Sequence, residues 1–432
     1  MIEEKSIGIG LMGLGVIGSG VVKVLQGKAE KLKNEAGASL NLKKVLEKDT
    51  SRYGTLGLNR SLFTADFAEI SDNKEIDIVI ELIGGERPAY DFISKSLKAG
   101  KNVVTANKEV LAKHGYELIS LARKHKVGLR YEASVGGGIP LIAPFLQDLV
   151  ANDILAIHAI VNGTTNYILT RMAQDKLDFE IALKQAQKLG YAEANPANDI
   201  EGLDAAYKLA ILATIAFGSD VKVDNIFYEG ISKLKSRDFQ YAGELGYAIK
   251  LLAIAKRRNG SIEARVHPVF IPEDSLLAKV DGVFNAIDVE GDLVGKVIFY
   301  GQGAGPLPTS SAVVADVVNI AKSITQGIEY ITKLPSDNKL SLKSMADIET
   351  RYYVRLKAVD QAGVLAQISR ILGDNAISIA SVIQKEYEPA TQSAEIVIMT
   401  YPAVEKALQD ALSKMNKLTV VKEISNCVRV EI

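Results

Sequence analysis

The sequence predicts an α/β protein built from successive parts, on three observations. A glycine-rich turn joins a short apolar strand to a helix at the start of the chain, strand and helix patterns alternate after it, and the last eighty or so residues run in βαββαβ order. A length of 432 residues suggests about three domains. Lys and Arg number 51 against 52 Asp and Glu, a net charge of -1, so no overall field favours nucleic acid or an anionic membrane. A hydrophobic content of 47% is ample for several cores. The single cysteine, Cys427, excludes an intramolecular disulfide framework and fits a reducing compartment. MIEEKSIGIG lacks the basic-then-apolar layout of a signal peptide, and the apolar run Leu209 to Phe217 is too short to span a bilayer. A cytoplasmic protein is expected.

In order along the chain, SIGIGLMGLGVIGSGVVKVL reads as strand, turn and helix, and LKKVLEKD as a second strand ending at Lys48 and Asp49. IDIVIELIGG (76–85) and KNVVTAN (101–107) are apolar runs that stop at turn residues. PAYDFISKSLKAG and KEVLAKHGYELISLARKHK carry helical patterns between them, and VGLRYEASV is strand-like. This alternation argues for a parallel sheet covered on both faces, over residues 1–138 and completed by 308–330. Residues 139–307 mix strands such as LAIHAIVNG with long helices, an α+β domain. A polar, weakly periodic stretch at 331–350 reads as a linker. From 351 to 432, RYYVRLKAVD, AGVLAQISRILGDN, ISIASVIQKE, SAEIVIMTY, AVEKALQDALSKMNK and VVKEISNCVRVEI complete a ferredoxin-like βαββαβ unit.

Gly13-Leu14-Gly15-Val16-Ile17-Gly18 matches G-x-G-x-x-G after a strand and at the opening of a helix. In that context the first glycine makes the turn and the second admits a pyrophosphate. The third lets helix and strand pack closely, while the helix N-terminus offers donors: a Rossmann-type dinucleotide site. At the second strand's end an acid would bind a ribose 2′-hydroxyl, favouring NAD, and a base would take a 2′-phosphate, favouring NADP. Glu47, Lys48, Asp49 and Arg52 offer both, or are solvated loop charges, and the balance leans slightly to NADP through Lys48.

Thr105-Ala106-Asn107-Lys108 follows a strand at the sheet edge where open α/β folds bind ligands, although Lys108 equally suits a surface helix start. Glu132-Ala133-Ser134-Val135-Gly136-Gly137-Gly138-Ile139-Pro140 carries three consecutive glycines, entropically costly unless backbone approaches a ligand or another segment closely, or the stretch is a hinge. Asn162-Gly163-Thr164-Thr165-Asn166 ends a strand with small polar groups. EANPANDIEGLDAAYKLAILATIAF (193–217) is a helix built for burial with charge at its mouth: Glu193, Asp199, Glu201, Asp204 and Lys208. Asp204 and Lys208 are spaced i,i+4, about 5–6 Å apart at Cβ on one face. Exposed, the pair is a weak surface bridge; at a cleft, a desolvated lysine becomes a proton donor and acceptor.

Together GLGVIG, ELIGG, TANK, EASVGGGIP, NGTTNYIL, GYAEANPANDIEGLDAAYK, VHPVFIP and GQGAGPLPT resemble the homoserine dehydrogenases, in order over residues 1 to about 330. The C-terminal unit with Asp360-Gln361-Ala362-Gly363-Val364-Leu365 resembles an ACT domain, an amino-acid-sensing module. The resemblance implies reversible NAD(P)-dependent interconversion of L-homoserine and L-aspartate 4-semialdehyde, on the way to threonine, methionine and isoleucine. It implies Lys208 as acid/base, Lys108 as a second lysine at the reacting oxygen, and Glu193, Asp204 and Asp199 as substrate ligands. Gly13, Gly15, Val16, Ile17, Gly18, Lys48, Thr105, Lys108, Gly190 and Gly303 would serve the cofactor. Glu132 with the carbonyls of Val135, Gly137 and Ile139 would hold a monovalent cation such as sodium. Residues 139–307 would also dimerise, and paired ACT units, with an effector (threonine foremost) against Asp360, Gly363, Val364, Leu365 and Asn375, would extend a homodimer to a homotetramer.

Two departures stand out: Asn195 where the family usually has aspartate, and Lys48 where arginine is common. Two other readings compete. One is another ACT-containing hydroxy-acid dehydrogenase, but its catalytic histidine–acid pair is not evident among His114, His125, His158 and His267. The other is a non-catalytic sensor of amino acid and nucleotide, against which the presence of Lys108 and Lys208 argues.

Overall fold

A computed structural model describes residues 5–49, 54, 56–328, 332, 340–388 and 393–431. Arg52 and most of the first half of the expected 331–350 linker lie outside these residues. The chain begins β1 (Ser6–Met12), α1 (Val16–Gly27), α2 (Ala29–Ala36), β2 (Ser39–Leu46), β3 (Phe63–Thr64), α3 (Ala68–Ser71), β4 (Ile78–Glu81), α4 (Ala89–Lys98), β5 (Asn102–Thr105), α5 (Lys108–Lys124) and β6 (Leu129–Arg130). It continues α6 (Ile142–Leu146), β7 (Ile154–Ile160), α7 (Gly163–Gln174), α8 (Phe179–Lys188), α9 (Ala197–Ile200), α10 (Leu203–Phe217), β8 (Phe227–Tyr228) and α11 (Ser236–Glu244). Then come β9 (Tyr247–Arg258), β10 (Ser261–Pro272), β11 (Phe284–Gly291), β12 (Gly295–Gln302), α12 (Pro306–Thr325) and β13 (Ser341–Leu342). β14 (Glu349–Val359), α13 (Val364–Asp374), β15 (Ile379–Glu388), β16 (Ser393–Thr400), β17 (Ala403–Val404), α14 (Glu405–Met415) and β18 (Val421–Val430) close it.

These elements form two compact units, Met1–Leu155 with Tyr207–Asn225 and Val289–Lys339, and Ala156–Ala206 with Ile226–Asp288 and Leu340–Ile432. The first holds a six-stranded parallel sheet in the order β3-β2-β1-β4-β5-β6. The order reverses direction between β1 and β4, the switch point at which such sheets bind ligands beyond their carboxyl ends. Ile7, Ile9 and Leu11 of β1 and Val21, Val22 and Leu25 of α1 share a core with Val313, Val317, Ile320 and Ala321 of the distant α12. β2 stops at Leu46, short of the expected Lys48 and Asp49, because the Glu47 carboxylate turns back onto backbone N–H groups of Leu14 and Asp49. The expected strand VGLRYEASV shrinks to Leu129–Arg130, and Glu132–Ser134 forms a 3-10 turn.

In the second unit the sheet runs β7-β9-β10-β18-β14-β16-β15. β9 and β10 pair antiparallel along their whole length. The C-terminal βαββαβ order appears as β14-α13-β15-β16-α14-β18, with Tyr352, Val354 and Leu356 of β14 packed against Ile368 and Leu372 of α13 and Leu408 and Leu412 of α14. β18 does not end that sheet, because Val269 and Phe270 of β10 pair in parallel with Arg429 and Val430. Among the described residues no helix is long and apolar enough to cross a membrane.

Candidate active site

The glycine loop leaves β1 at Gly13, whose φ of +92° only glycine adopts readily. A Cβ on Gly18 would lie 2.1 Å from the Gly13 carbonyl oxygen, so α1 passes too close beneath the loop for any larger residue. Gly15 precedes α1 without a side-chain cap, and α1 has no acid in its first turn. The N–H groups of Val16 and Ile17 have no acceptor among the described residues, and Val16 is 69% exposed. Unpartnered donors at the positive end of a 12-residue helix fit a diphosphate.

The acid nearest this loop is one the sequence left among several. Glu47 Oε2 accepts from the Leu14 N–H at 2.8 Å, whereas Lys48 and Asp49 are exposed beyond it. A second acid, Glu81, was missed altogether; it ends β4 fully buried. It accepts from the Thr105 hydroxyl at 2.7 Å and the Ile83 N–H at 2.7 Å, and burial pushes its carboxyl up despite those bonds. Its signal was an acid ending an apolar run, IVIE. Thr105, also fully buried, accepts from the Asn107 N–H at 3.0 Å, so its hydroxyl is turned to Glu81. Asn107 caps α5 through the Val110 N–H and donates to the Gly85 carbonyl at 2.7 Å. Lys108 follows as the first residue of α5, half-buried.

The triple glycine is explained by another segment. A Cβ on Gly137 would fall 2.5 Å from the Gly303 carbonyl oxygen, and the Gly138 N–H donates to the Gln302 carbonyl at 3.2 Å. Gly303 therefore lies against this turn. Glu132 is buried and accepts from the N–H groups of Leu141 (2.6 Å), Ile142 (2.9 Å) and Ala143 (2.8 Å). That leaves its carboxylate one lone-pair position. Val135, Gly137 and Ile139 are buried, and among the described residues their carbonyls accept no hydrogen bond. Buried carbonyl oxygens without donors, close in sequence to a carboxylate, fit a hard cation. Asp316 accepts from the Glu132 N–H at 2.8 Å and from Arg130 at 3.3 Å, and burial pushes its carboxyl up to about 6.

In the second unit, Asn162 precedes α7 and is 6% exposed. Its Oδ1 accepts from the Thr165 N–H at 2.8 Å, and its Nδ2 donates to Asp199 Oδ1 at 2.7 Å and Asp204 Oδ2 at 2.8 Å. Asp204 is 4% exposed and Asp199 half-buried. Glu193 is not drawn into this cluster; it sits exposed in the loop after α8, as does Gly190, whose φ is +76°. Lys208 lies four residues after Asp204 on α10, half-buried, in the part of that helix assigned to the first unit, where Leu209, Ala210, Leu212 and Ala213 are buried.

The expected effector residues divide between the two ends of α13. Asp360 is exposed and accepts from Gln384 at 3.2 Å; Gly363 precedes the helix with φ +87°; Val364 is buried and Leu365 39% exposed. Asn375 closes the other end, accepting from Lys414 at 2.8 Å, so α13 separates it from the rest by about 15 Å within one copy. His114 does meet an acid, Glu86, at 2.9 Å, which the sequence had not revealed. That carboxylate also accepts from Lys113 at 2.7 Å, and the hydrogen bonds of Lys113 and His114 hold it down to about 2. It is a surface cluster some 9 Å along α5 from Lys108. His267 is buried, its Nδ1 2.9 Å from the Pro268 carbonyl, and burial holds its pKa well below the ordinary range.

Comparison with known proteins supplies the remaining facts. Residues 140–318 match the family described as homoserine dehydrogenase, 13–132 its NAD binding domain, and 352–420 the ACT domain. The chain is 44% identical to the homoserine dehydrogenase of Helicobacter pylori, covering 99% of this chain and 100% of that one. It is 40% identical to that of Neisseria gonorrhoeae, covering 99% of each. The crystal structure of a homoserine dehydrogenase from Thiobacillus denitrificans superposes with a TM-score of 0.93 at 41% identity, covering 99% of both chains.

Proposed function

The chain belongs to the homoserine dehydrogenase family, and from that premise we propose that Lys208 is the proton donor and acceptor of the reaction, with Lys108 assisting at the same oxygen. The enzyme is an NAD(P)-dependent oxidoreductase acting on a CH–OH group and carries an ACT domain. A bound nicotinamide supplies the hydride acceptor for the carbon that bears the hydroxyl, and the donor in reverse. Lys208 takes the hydroxyl proton as that C–O bond becomes a carbonyl, and returns it to the oxygen in the opposite direction. Asp199 and Asp204, with Glu193, hold the α-ammonium group of the amino acid. The observation carrying this reading is that one amide gathers Asp199 and Asp204, the latter four residues before Lys208 on α10.

Gly13, Gly15, Val16, Ile17 and Gly18 hold the cofactor's diphosphate, with Gly190, Gly303 and the Thr105 turn as further approaches. NADP is favoured through Lys48, exposed just past Glu47, whose carboxylate is engaged by the Leu14 N–H. Glu132, Val135, Gly137 and Ile139 hold a monovalent cation such as sodium. The ACT unit gives feedback control in the pathway to threonine, methionine and isoleucine, with threonine as effector in paired copies, so that Asn375 of one copy faces Asp360 to Leu365 of another. A homodimer, or a homotetramer through paired ACT units, and a cytoplasmic location complete the reading.

A steady-state comparison of NAD with NADP, with and without threonine, tests it. Homoserine-dependent reduction is expected with both cofactors, a lower KM for NADP, and inhibition by threonine. Lys48→Ala is expected to raise the NADP KM about tenfold, the worth of one hydrogen bond to a charged group, and leave the NAD KM unchanged. Absence of homoserine-dependent reduction would overturn the catalytic roles. An NADP KM unmoved by Lys48→Ala would overturn the cofactor assignment.

A further inference from the structure

The geometry points to Asn162 as a positioning residue that presets the substrate-side carboxylates, an inference that rests on reading Asp199 and Asp204 as ligands of the amino acid's ammonium group. The side chain's orientation is determined at both ends. Oδ1 faces the Thr165 N–H at 2.8 Å, which can only donate. Nδ2 faces Asp199 at 2.7 Å and Asp204 at 2.8 Å, oxygens that as carboxylates only accept. A flipped amide would lose all three bonds. Thr165 Oγ1 adds a contact at 3.1 Å to Oδ1, so the amide is held before any substrate arrives.

The two protons of one NH₂ group thus go to two different carboxylates, which holds those two oxygens no farther apart than two hydrogen-bond lengths. Like charges this close repel, and at a site where Asp204 is 4% exposed water screens them poorly. A neutral donor between them fixes their separation without cancelling their charge. The same turn reaches a third acid indirectly, because Thr164 Oγ1 donates to the Tyr191 carbonyl at 2.6 Å, two residues before Glu193. The first turn of α7 therefore sets the loop or side chain of each acid proposed to hold the substrate.

The role can be separated from helix capping. Serine and aspartate both cap as well as asparagine, so Asn162→Ser and Asn162→Asp keep the acceptor for Thr165 and preserve α7. Neither supplies the paired N–H donors. We expect Asn162→Ser to raise the homoserine KM about tenfold or more and to lower kcat, with the cofactor KM and the unfolding midpoint close to those of the parent. Asn162→Asp places a third carboxylate in the cluster and should impair homoserine binding further. Its deficit relative to the parent should shrink as pH is lowered from 8 to 6, since crowded carboxylates take up a proton more readily. Unchanged homoserine KM in both variants, or a parallel rise in cofactor KM with lost stability, would overturn the positioning role. Asp204→Asn distinguishes the premise: if it leaves the homoserine KM unchanged, the substrate-side reading of the acids fails, and the inference with it. If Asp204→Asn raises the KM and the Asn162 variants do not, the inference alone fails.

Discussion

Lys208→Ala is expected to lower kcat by about two to four orders of magnitude, the usual contribution of a positioned proton-transfer group. Cofactor affinity, followed by fluorescence titration, should remain that of the parent, since the glycine loop, Glu47 and the start of α1 are untouched. The fold should also survive. Lys208 is half-buried rather than enclosed, whereas Leu209, Ala210, Leu212 and Ala213 supply the buried contacts of α10. Alanine is also the best helix former, so the helix loses no propensity. Lys208→Arg should not rescue turnover, because a guanidinium keeps its proton across the accessible pH range. A fall in unfolding midpoint matching the fall in kcat would instead make Lys208 a structural residue.

Asp238→Ala should destabilise the protein by about 3–5 kcal/mol, the cost of breaking a buried charge pair from one side. Asp238 is fully buried on α11 and all its acceptor positions are used. It accepts from Tyr353 at 3.1 Å, Arg355 at 2.8 Å, Asn426 at 2.7 Å and the Lys235 N–H at 2.9 Å. Alanine would leave the buried Arg355 guanidinium with Glu395 as its remaining partner, and the donors of Tyr353, Asn426 and Lys235 unmet. Denaturant unfolding followed by far-UV circular dichroism reads the loss; a change below 1 kcal/mol would mean that water replaces the carboxylate there.

The same region sets an acid limit. Burial raises the carboxyls of Glu431, Glu405, Glu395 and Glu263, yet the cations facing them bring each below its ordinary 4.5. Those cations are Lys256 and Arg265, beside a hydrogen bond from His158, then Arg429, Arg355 with Arg237, and Arg265 with Lys343. A depressed native pKa gives stability that is present above the unfolded value and lost as pH falls through the native one. The unfolding midpoint should therefore hold above about pH 5 and decline below 4.5. Asp316 runs the other way: raised to about 6, it adds stability as pH falls through 6. Glu81, also raised by burial, acts in the same sense. Two such groups oppose these four, so a midpoint that rose between pH 4.5 and 3 would contradict the ion-pair assignments.

The geometry of the glycine loop was legible because its requirements are local. A tight turn, a close helix–strand approach and free N–H groups at a helix start all depend on residues within one loop, and Gly13 to Gly18 state them directly. The βαββαβ order at the C-terminus was readable for the same reason, from hydrophobic periodicity and turn residues. Sequence located the charged mouth of α10, but not the amide that organises it: Asn162 is 37 residues from Asp199 and 42 from Asp204. Nor did it show which of Glu47, Lys48 and Asp49 turns back to Leu14, a contact between residues 33 apart in the chain.

By itself, then, the sequence determined the strand-and-helix alternation, the glycine loop and the charges at the start of α10, because backbone sterics and side-chain periodicity act between neighbours in the chain. Tertiary structure decided that α12 fills the core beneath β1, that β18 extends the sheet through β10, and that Asp238 meets Arg355 from 117 residues away. Those pairings are selected by which buried surfaces and charges find complements after folding, and nothing in a linear order of residues specifies a complement so far along the chain.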